Sequence, residues 1–329
     1  MLIHSRKIDR PLVAPFKIAR GLRTSQASLH VDIEDGGTSG AGEASGVQYN
    51  GETAETMLTD VSNVRSRITN GLNWQHLATV MKPGGARAAI DAALWDLEAK
   101  QSGIPAWRTA GLEKAPGPLT TAYTISLDTP EIMASKAEEY AHLPLLKLKI
   151  GGSDFLDTER VKAVRRAAPN TRLVADGNGG CLEEELPQLM RAMADNGFGL
   201  LEQPFTRETD ERLRGLDTPL PLCADESLAT LEDMGRVASL YQMGNIKLDK
   251  CGGLTSALAI AEALRDRDMG VFVGSMLGGT LSIAPAFIVA AQADYVDLDP
   301  PLWIKGDNYP LALDANNQLP PPPPEVWGM

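Results

Sequence analysis

From Thr120 onward the chain repeats one pattern of apolar and polar positions. Each repeat has a short apolar run, a polar or glycine-bearing turn, and a helix-length stretch with apolar residues at helical spacing. Helices are predicted over 157–168 and 256–267. The predicted strands are the eight runs TTAYTIS, LLKLKI, RLVAD, FGLLEQ, PLCADE, NIKLDK, VFVGS and YVDLD. Eight such units in about 180 residues favour a closed parallel barrel over an open sheet.

The first 115 residues follow a different pattern. The run ASLHVDIEDGGTSGAGEA predicts a hairpin with a glycine-rich turn, and helices are predicted near 52–69 and 84–101. We therefore expect an α+β domain over 1–115 and the barrel over 116–300. Residues 301–329 include five consecutive prolines at 320–324, and we expect this C-terminal segment to pack back on the first domain.

The overall charge narrows the choice of partners. The chain has 43 Asp+Glu against 31 Lys+Arg, a net charge of -12, which argues against binding nucleic acid or an anionic membrane. The N-terminus lacks the apolar core of a signal peptide, and the longest apolar run, near 282–293, is too short to span a bilayer. Three widely spaced cysteines fit reduced thiols. These features predict a cytoplasmic protein.

Charged residues follow the predicted strands at their carboxyl ends, where barrels of this kind carry their active sites. Successive members of one set are 22 to 27 residues apart, about one strand-helix unit: Lys149, Asp176, Glu202, Asp225 and Lys247. This phasing brings three carboxylates to one rim with a lysine on either side. No histidine follows residue 142, and three oxygen ligands suit a hard cation such as Mg²⁺. Taken singly, each carboxylate could also be a solvated residue or a helix cap.

The lysines of the second predicted strand have two interpretations. Lys147 and Lys149 could face solvent, with Leu148 pointing the other way. In a closed barrel, however, their shared face is the crowded interior, where an unpaired ammonium is costly. Neighbouring ammonium groups and a divalent cation would lower the pKa of such a lysine towards the working pH, which predicts a lysine base.

The motifs KLK, ADGN, EQP, ADES and NIKLDKCGGLT resemble those of the enolase superfamily, specifically its muconate-lactonizing subgroup. The resemblance covers essentially the whole chain. It implies a (β/α)7β TIM-like barrel with an N-terminal α+β capping domain, and a homo-oligomer. It also implies one Mg²⁺ bound by Asp176, Glu202 and Asp225, with Lys149 and Lys247 as the acid and base on opposite faces of the substrate.

Further residues resemble the dipeptide epimerases of the L-Ala-D/L-Glu type. In that family the counterparts of Asp297 and Asp299 hold the ammonium group of the dipeptide, and PFKIARGLRT matches the specificity loop, where Arg23 would meet a side-chain carboxylate. Thr124 occupies a substrate-lining position, and Lys147 would stabilise the substrate carboxylate. Pro300 departs from the family pattern, which more often has a small residue there. Without the resemblance, Arg23 could be an ordinary surface arginine and either aspartate a helix cap.

The implied activity is a Mg²⁺-dependent 1,1-proton transfer at the α-carbon of the C-terminal residue of a dipeptide such as L-Ala-L-Glu or L-Ala-D-Glu, through an enediolate. One alternative keeps the site and changes the reaction, to cycloisomerisation, N-acylamino acid racemisation or o-succinylbenzoate synthesis. The paired aspartates favour a free ammonium substrate over an N-acyl one. A different class of alternative is a non-catalytic, metal-stabilised ligand-binding barrel, against which the complete set of lysines and carboxylates argues.

Overall fold

A three-stranded antiparallel sheet, in the order β1-β2-β3, begins the computed structural model, which describes residues 1–19 and 21–329. Its strands are β1 (Leu2–Ile18), β2 (Gly21–Asp35) and β3 (Thr38–Ser45). The predicted hairpin is formed by β2 and β3, and it turns at Gly36 and Gly37, whose φ angles of 58° and 84° favour glycine. Strand β1 was not predicted, because most of its side chains are exposed and it carries little apolar periodicity.

Helices complete the N-terminal domain: α1 (Ala54–Thr69), α2 (Trp74–Leu77), α3 (Gly85–Ser102) and α4 (Ala106–Thr109). The predicted helices near 52–69 and 84–101 correspond to α1 and α3. Helix α1 begins at a capping box formed by Thr53 and Thr56. The amides of Gly85 and Ala86 at the start of α3 donate to the Glu52 carboxylate, which also accepts from the Val47 amide. Glu52 therefore fixes the segment after β3 to the start of α3.

Eight parallel strands form the second domain, in the order of the sequence. They are β4 (Tyr123–Ile125), β5 (Leu145–Lys149), β6 (Arg172–Asp176), β7 (Phe198–Glu202), β8 (Leu222–Ala224), β9 (Met243–Lys247), β10 (Gly270–Gly274) and β11 (Tyr295–Asp297). The Ala122 amide beside β4 donates to the Val296 carbonyl of β11 at 2.8 Å, which brings the first strand against the last. The predicted barrel with an N-terminal capping domain is confirmed.

Helices connect the strands around the outside: α5 (Pro130–Glu139), α6 (Asp157–Ala167), α7 (Leu186–Asp195), α8 (Met234–Leu240), α9 (Leu248–Cys251), α10 (Leu254–Arg265), α11 (Thr280–Ile283), α12 (Ala286–Ala290) and α13 (Pro300–Trp303). Helices α6 and α10 correspond to the two predicted from their periodicity. All residues of the connection from β7 to β8 are described, and they form a 3₁₀ turn at Asp210–Leu213 instead of an α-helix. Helix α13 was not predicted.

The C-terminal segment contacts helix α3 of the capping domain. Trp327 Nε1 donates to the Ala92 carbonyl at 2.9 Å, and the Gly328 amide donates to Asp96 Oδ1 at 2.8 Å. Within the two described ranges, no helix is long and apolar enough to cross a bilayer.

Candidate active site

The register of the parallel strands brings the predicted site residues to one rim of the barrel. Lys149 of β5 lies beside Asp176 of β6, which lies beside Glu202 of β7. Across the barrel, Gly274 of β10 lies beside both Lys247 of β9 and Asp297 of β11. All of these residues are the last in their strands, so their side chains meet at the carboxyl end of the barrel.

Asp176, Glu202 and Asp225 form a buried triad of carboxylates. One oxygen of each lies within 4.8 Å of an oxygen of the other two, and no histidine or cysteine of the described residues joins them. Three hard oxygen donors at this spacing fit a hard divalent cation. Burial and the neighbouring Asp176 raise the pKa of Glu202 to about 7. A bound cation would relieve this repulsion between the carboxylates.

Each lysine of the site contacts a carboxylate. Lys149 Nζ lies 2.6 Å from Asp176 Oδ2, and Lys247 Nζ lies 2.6 Å from Asp225 Oδ2. Lys147 Nζ is fully buried and contacts three carboxylates, at 2.6 Å from Glu202, 2.8 Å from Asp297 and 3.2 Å from Asp176.

The carboxylates beside Lys147 and Lys247 raise the pKa of both lysines. Burial lowers the pKa of Lys247, but attraction to Asp225 and Glu202 outweighs it, so the net pKa is raised. The pKa of Lys147 is raised in the same way, because Asp297, Glu202 and Asp176 outweigh its burial. The lowered pKa expected for a lysine of the second strand rested on neighbouring ammonium groups and a bound divalent cation, whereas the ammonium groups of Lys147 and Lys247 each have a carboxylate oxygen at 2.6 Å.

A cavity of about 670 Å³, including its open mouth, lies between the capping domain and the rim. Lys149, Lys247, Thr124, Asp297 and Asp299 line it from the barrel side, together with the loop that follows β10. The capping domain contributes Phe16, Ile18, Arg23, Gly46, Gln48 and Tyr49. Of the residues predicted for the site, the triad and Lys147 lie beneath the cavity and are not part of its lining.

The two aspartates at the carboxyl end of β11 have different surroundings. Asp297 Oδ2 accepts a hydrogen bond from Lys147, whereas its buried Oδ1 has no hydrogen-bond partner within residues 1–19 and 21–329. Asp299 Oδ2 accepts from the Thr124 amide at 2.9 Å and from Trp303 Nε1 at 3.0 Å. Burial and the nearby Asp297 raise the pKa of Asp299 to about 7.

Arg23 lies on β2, and its Nη1 donates to Gln26 Oε1 at 3.3 Å. The predicted specificity loop, residues 15–24, includes residue 20, which lies outside the described residues. The other residues of this loop are described, and Arg23 lines the cavity from the capping-domain side.

Two residues that hold the triad were not singled out from the sequence. Asn245 Nδ2 donates to Glu202 Oε1 at 2.8 Å, and Gln203 Oε1 accepts from the amides of Asp225 and Ser227. Gln203 has a φ of 35°, a left-handed conformation uncommon for residues other than glycine. Alternation along β9 could have identified Asn245, because it lies two residues before Lys247 and so on the same face.

The fold and this rim of lysines and carboxylates define a class of barrel enzymes, and comparison with known families identifies it. Residues 3–111 match the N-terminal domain of the mandelate racemase and muconate lactonizing enzyme family, and residues 132–322 match the enolase C-terminal domain-like family. The chain belongs to the enolase superfamily, within its mandelate racemase and muconate lactonizing branch.

Individual relatives are similar over 79% to 99% of the chain. The L-Ala-D/L-Glu epimerase of Escherichia coli strain K12 is 35% identical over 94% of this chain and 96% of its own. An N-acetyl-D-glutamate racemase from a Pseudoalteromonas species is 36% identical over 79% of this chain and 82% of its own. A crystal structure from Agrobacterium tumefaciens, an enolase family member with homology to dipeptide epimerases, holds sodium and L-Ala-L-Glu; it is 39% identical, covers 99% of both chains and superposes with a TM-score of 0.95.

Proposed function

We propose that this protein is an isomerase that epimerises dipeptides, with L-Ala-L-Glu and L-Ala-D-Glu as the first substrates to test. The observation that carries the proposal is the position of two lysines on opposite sides of one cavity. Lys149 ends β5 and Lys247 ends β9, four strands apart in a ring of eight, and both line the cavity. A 1,1-proton transfer needs two amines that approach the same carbon from opposite sides.

The reaction breaks the α-carbon–hydrogen bond of the C-terminal residue of the dipeptide. The Nζ atom of one lysine takes the proton, and the electron pair delocalises onto the substrate carboxylate as an enediolate. The Nζ atom of the other lysine then donates a proton to the opposite face, so the configuration inverts and no atom is gained or lost. The first lysine ends charged and the second neutral, which resets the pair for the reverse direction.

The charge that develops on the substrate carboxylate needs a compensating cation. Asp176, Glu202 and Asp225 would hold Mg²⁺, which supplies Lewis-acid stabilisation of that charge when bound. Lys147 adds a fixed positive charge in contact with Asp176 and Glu202 of the triad. Solved dipeptide epimerases similar to this chain contain Mg together with a dipeptide, which supports the same ion here.

Oppositely charged side chains that line the cavity suit a dipeptide with an acidic second residue. Asp297 Oδ1, buried and without a hydrogen-bond partner within the described ranges, supports binding of the substrate ammonium group, with Asp299 beside it. Arg23, from the capping domain, supports binding of a side-chain carboxylate, and Thr124 borders the same cavity.

A second candidate reaction has support from one relative, the N-acetyl-D-glutamate racemase at 36% identity. An N-acetyl substrate has the same acidic side chain but no ammonium group. It would leave the buried Oδ1 of Asp297, and Asp299 beside it, without the substrate cation that they are placed to bind, so the aspartate pair favours the dipeptide.

The test is α-proton exchange in deuterated water with Mg²⁺, followed by proton NMR on L-Ala-L-Glu, L-Ala-D-Glu and N-acetyl-glutamate in parallel. We expect exchange and inversion of both dipeptides and little turnover of the N-acetyl compound. Lys149→Ala and Lys247→Ala should each reduce epimerisation by a hundredfold or more, roughly the contribution of a general base. Each should still exchange the one epimer whose α-proton faces the remaining lysine.

Lys136→Ala is the control, because this lysine is exposed on α5 and pairs only with Glu139 among the described residues. Full epimerisation by both site variants would contradict the proposal. A protein that binds Mg²⁺ but exchanges no dipeptide and no N-acetyl compound would instead indicate a ligand-binding barrel.

A further inference from the structure

Two segments of the cavity wall come from different domains and meet at one buried side chain. The first segment follows β3 in the capping domain and contains Gly46, Gln48 and Tyr49, and the second follows β10 and contains Met276 and Leu277. Both are fastened to Asp249, the second residue after Lys247. Asp249 Oδ1 accepts from the Ser45 amide at 2.8 Å, and Oδ2 accepts from the Met276 amide at 3.4 Å.

Ser45 joins the two wall segments a second time. Its hydroxyl donates to the Leu277 carbonyl at 2.5 Å and accepts from Gln26 Nε2 at 3.2 Å. Ser45 is 1% exposed and Asp249 is 4% exposed, so water does not compete for these hydrogen bonds. The capping-domain wall, the loop after β10 and the strand that ends in Lys247 are therefore connected through two buried residues.

Asp249 makes these contacts as a buried carboxylate with no ion-pair partner among the residues the structure describes. Burial raises its pKa to about 6, against the opposing effect of the two backbone amides that donate to it. A buried carboxyl in such surroundings is costly, and an apolar side chain could fill the space. As a carboxylate, however, Asp249 provides two oxygens that accept hydrogen bonds from amides in different domains.

We propose that Asp249 is a positioning residue that fixes both cavity walls relative to Lys247 and thereby sets the affinity for the dipeptide. The proposal rests on the proposed function for its kinetic test. Asp249 does not line the cavity, so it acts through the walls and not on the reacting atoms.

The test compares Asp249→Asn with Asp91→Asn. In Asp249→Asn the new side-chain amide keeps one accepting oxygen and replaces the other with a group that only donates, which releases one wall segment. Asp91 is a matched control: it is also fully buried, and it accepts across the same domain junction from the Thr255 amide at 3.2 Å and the Thr255 hydroxyl at 2.6 Å. Neither Asp91 nor Thr255 lines the cavity.

We expect Asp249→Asn to raise KM for L-Ala-L-Glu roughly tenfold, the worth of one charge-assisted hydrogen bond, while kcat stays within about threefold. Asp91→Asn should leave both constants unchanged and alter only stability. Ser45→Ala, which removes the hydroxyl tie but leaves Asp249 intact, should raise KM by a smaller factor and serves as the second variant if Asp249→Asn does not fold.

Amide hydrogen exchange supplies a readout that needs no substrate. Exchange at residues 46–49 and 275–277 should accelerate in Asp249→Asn and not in Asp91→Asn. Unchanged KM and unchanged exchange in Asp249→Asn, or equal KM effects in both aspartate variants, would overturn the positioning role. If the unaltered protein turns over no dipeptide, the proposed function fails, while the exchange comparison still decides whether Asp249 holds the walls.

Discussion

Lys147 is a buried cation whose charge is balanced by carboxylates from three other strands. Its ammonium is completely buried and lies within 3.2 Å of carboxylates from β6, β7 and β11. Alternation along LLKLKI predicts that Lys147 faces the crowded interior together with Lys149, and both are buried. The three carboxylate partners could not be predicted in this detail, because they come from residues 29, 55 and 150 positions later in the chain and meet only when the barrel closes.

Gly274 leaves room for Lys247. A Cβ atom at this position would lie 3.3 Å from Lys247 Cε and 2.9 Å from Asn245 Oδ1. Gly274→Ala should therefore displace Asn245, which holds Glu202, and move the lysine by a few tenths of an ångström, and we expect the rate of α-proton exchange to fall roughly tenfold. The measurement is the initial exchange rate at saturating dipeptide and Mg²⁺.

Gly235→Ala is the control for that substitution. Gly235 lies within α8, and a Cβ atom there would have no neighbour within 4 Å among the residues that the structure describes. Alanine should increase stability by about 0.5–1 kcal/mol, because it is the better helix former, and leave the exchange rate unchanged. An unaltered rate of α-proton exchange in Gly274→Ala would show that the added methyl group does not displace Lys247 from its working position.

Two side chains of helix α3, one positive and one negative, bind the ends of two barrel helices. Arg87 donates to the carbonyls of Cys251 and Gly252 at the end of α9, and Asp91 accepts from Thr255 at the start of α10. A cation at a helix C-terminus and an anion at an N-terminus are both favourable. These two contacts attach the capping domain to the segment that follows Lys247.

The Asp91 carboxyl should make stability depend on pH. Its burial raises its pKa from 3.8 to about 7. Between these values the folded chain retains a proton that the unfolded chain has lost, so the free energy of unfolding contributed by Asp91 falls as pH rises from about 4 to about 7. The slope is at most about 1.4 kcal/mol per pH unit. Asp91→Asn has no such proton and lacks this slope.

Urea unfolding of both proteins at intervals from pH 5 to pH 7 measures the effect. The stability of Asp91→Asn relative to the unaltered protein should improve steadily across this range. A difference that stays constant with pH would mean that the Asp91 carboxyl already has its ordinary pKa in the folded chain.

Secondary structure was predictable where apolar periodicity is strong. The spacing in 157–168 and 256–267 predicts α6 and α10 to within two residues at either end. Strand β1 escaped prediction, because only Ile3, Arg10 and Leu12 among its side chains are buried. The hydrogen bonds of Asn245, Gln203 and Asp249 escaped it too, since each joins residues that only the tertiary fold brings together.

Helix α3 belongs to the cores of both domains. Its Ile90, Leu94 and Leu97 pack in the core of the capping domain, with strands β1, β2 and β3 and helix α1. Trp95 and Ala99 pack in the main barrel core, and Trp95 Nε1 donates to the Thr255 hydroxyl at 2.9 Å. A helix shared in this way cannot leave one core without exposing apolar surface of the other.

The two domains should therefore unfold in a single step, although a chain of 329 residues with two domains would ordinarily show intermediates. In differential scanning calorimetry we expect one transition whose calorimetric enthalpy equals the van 't Hoff enthalpy. Trp95→Ala should lower the stability of that transition by about 3–5 kcal/mol, because it removes a buried aromatic ring from the junction. Two resolved transitions in the unaltered protein would show that α3 separates from one core before the other, and that the cavity between the domains can open without unfolding the barrel.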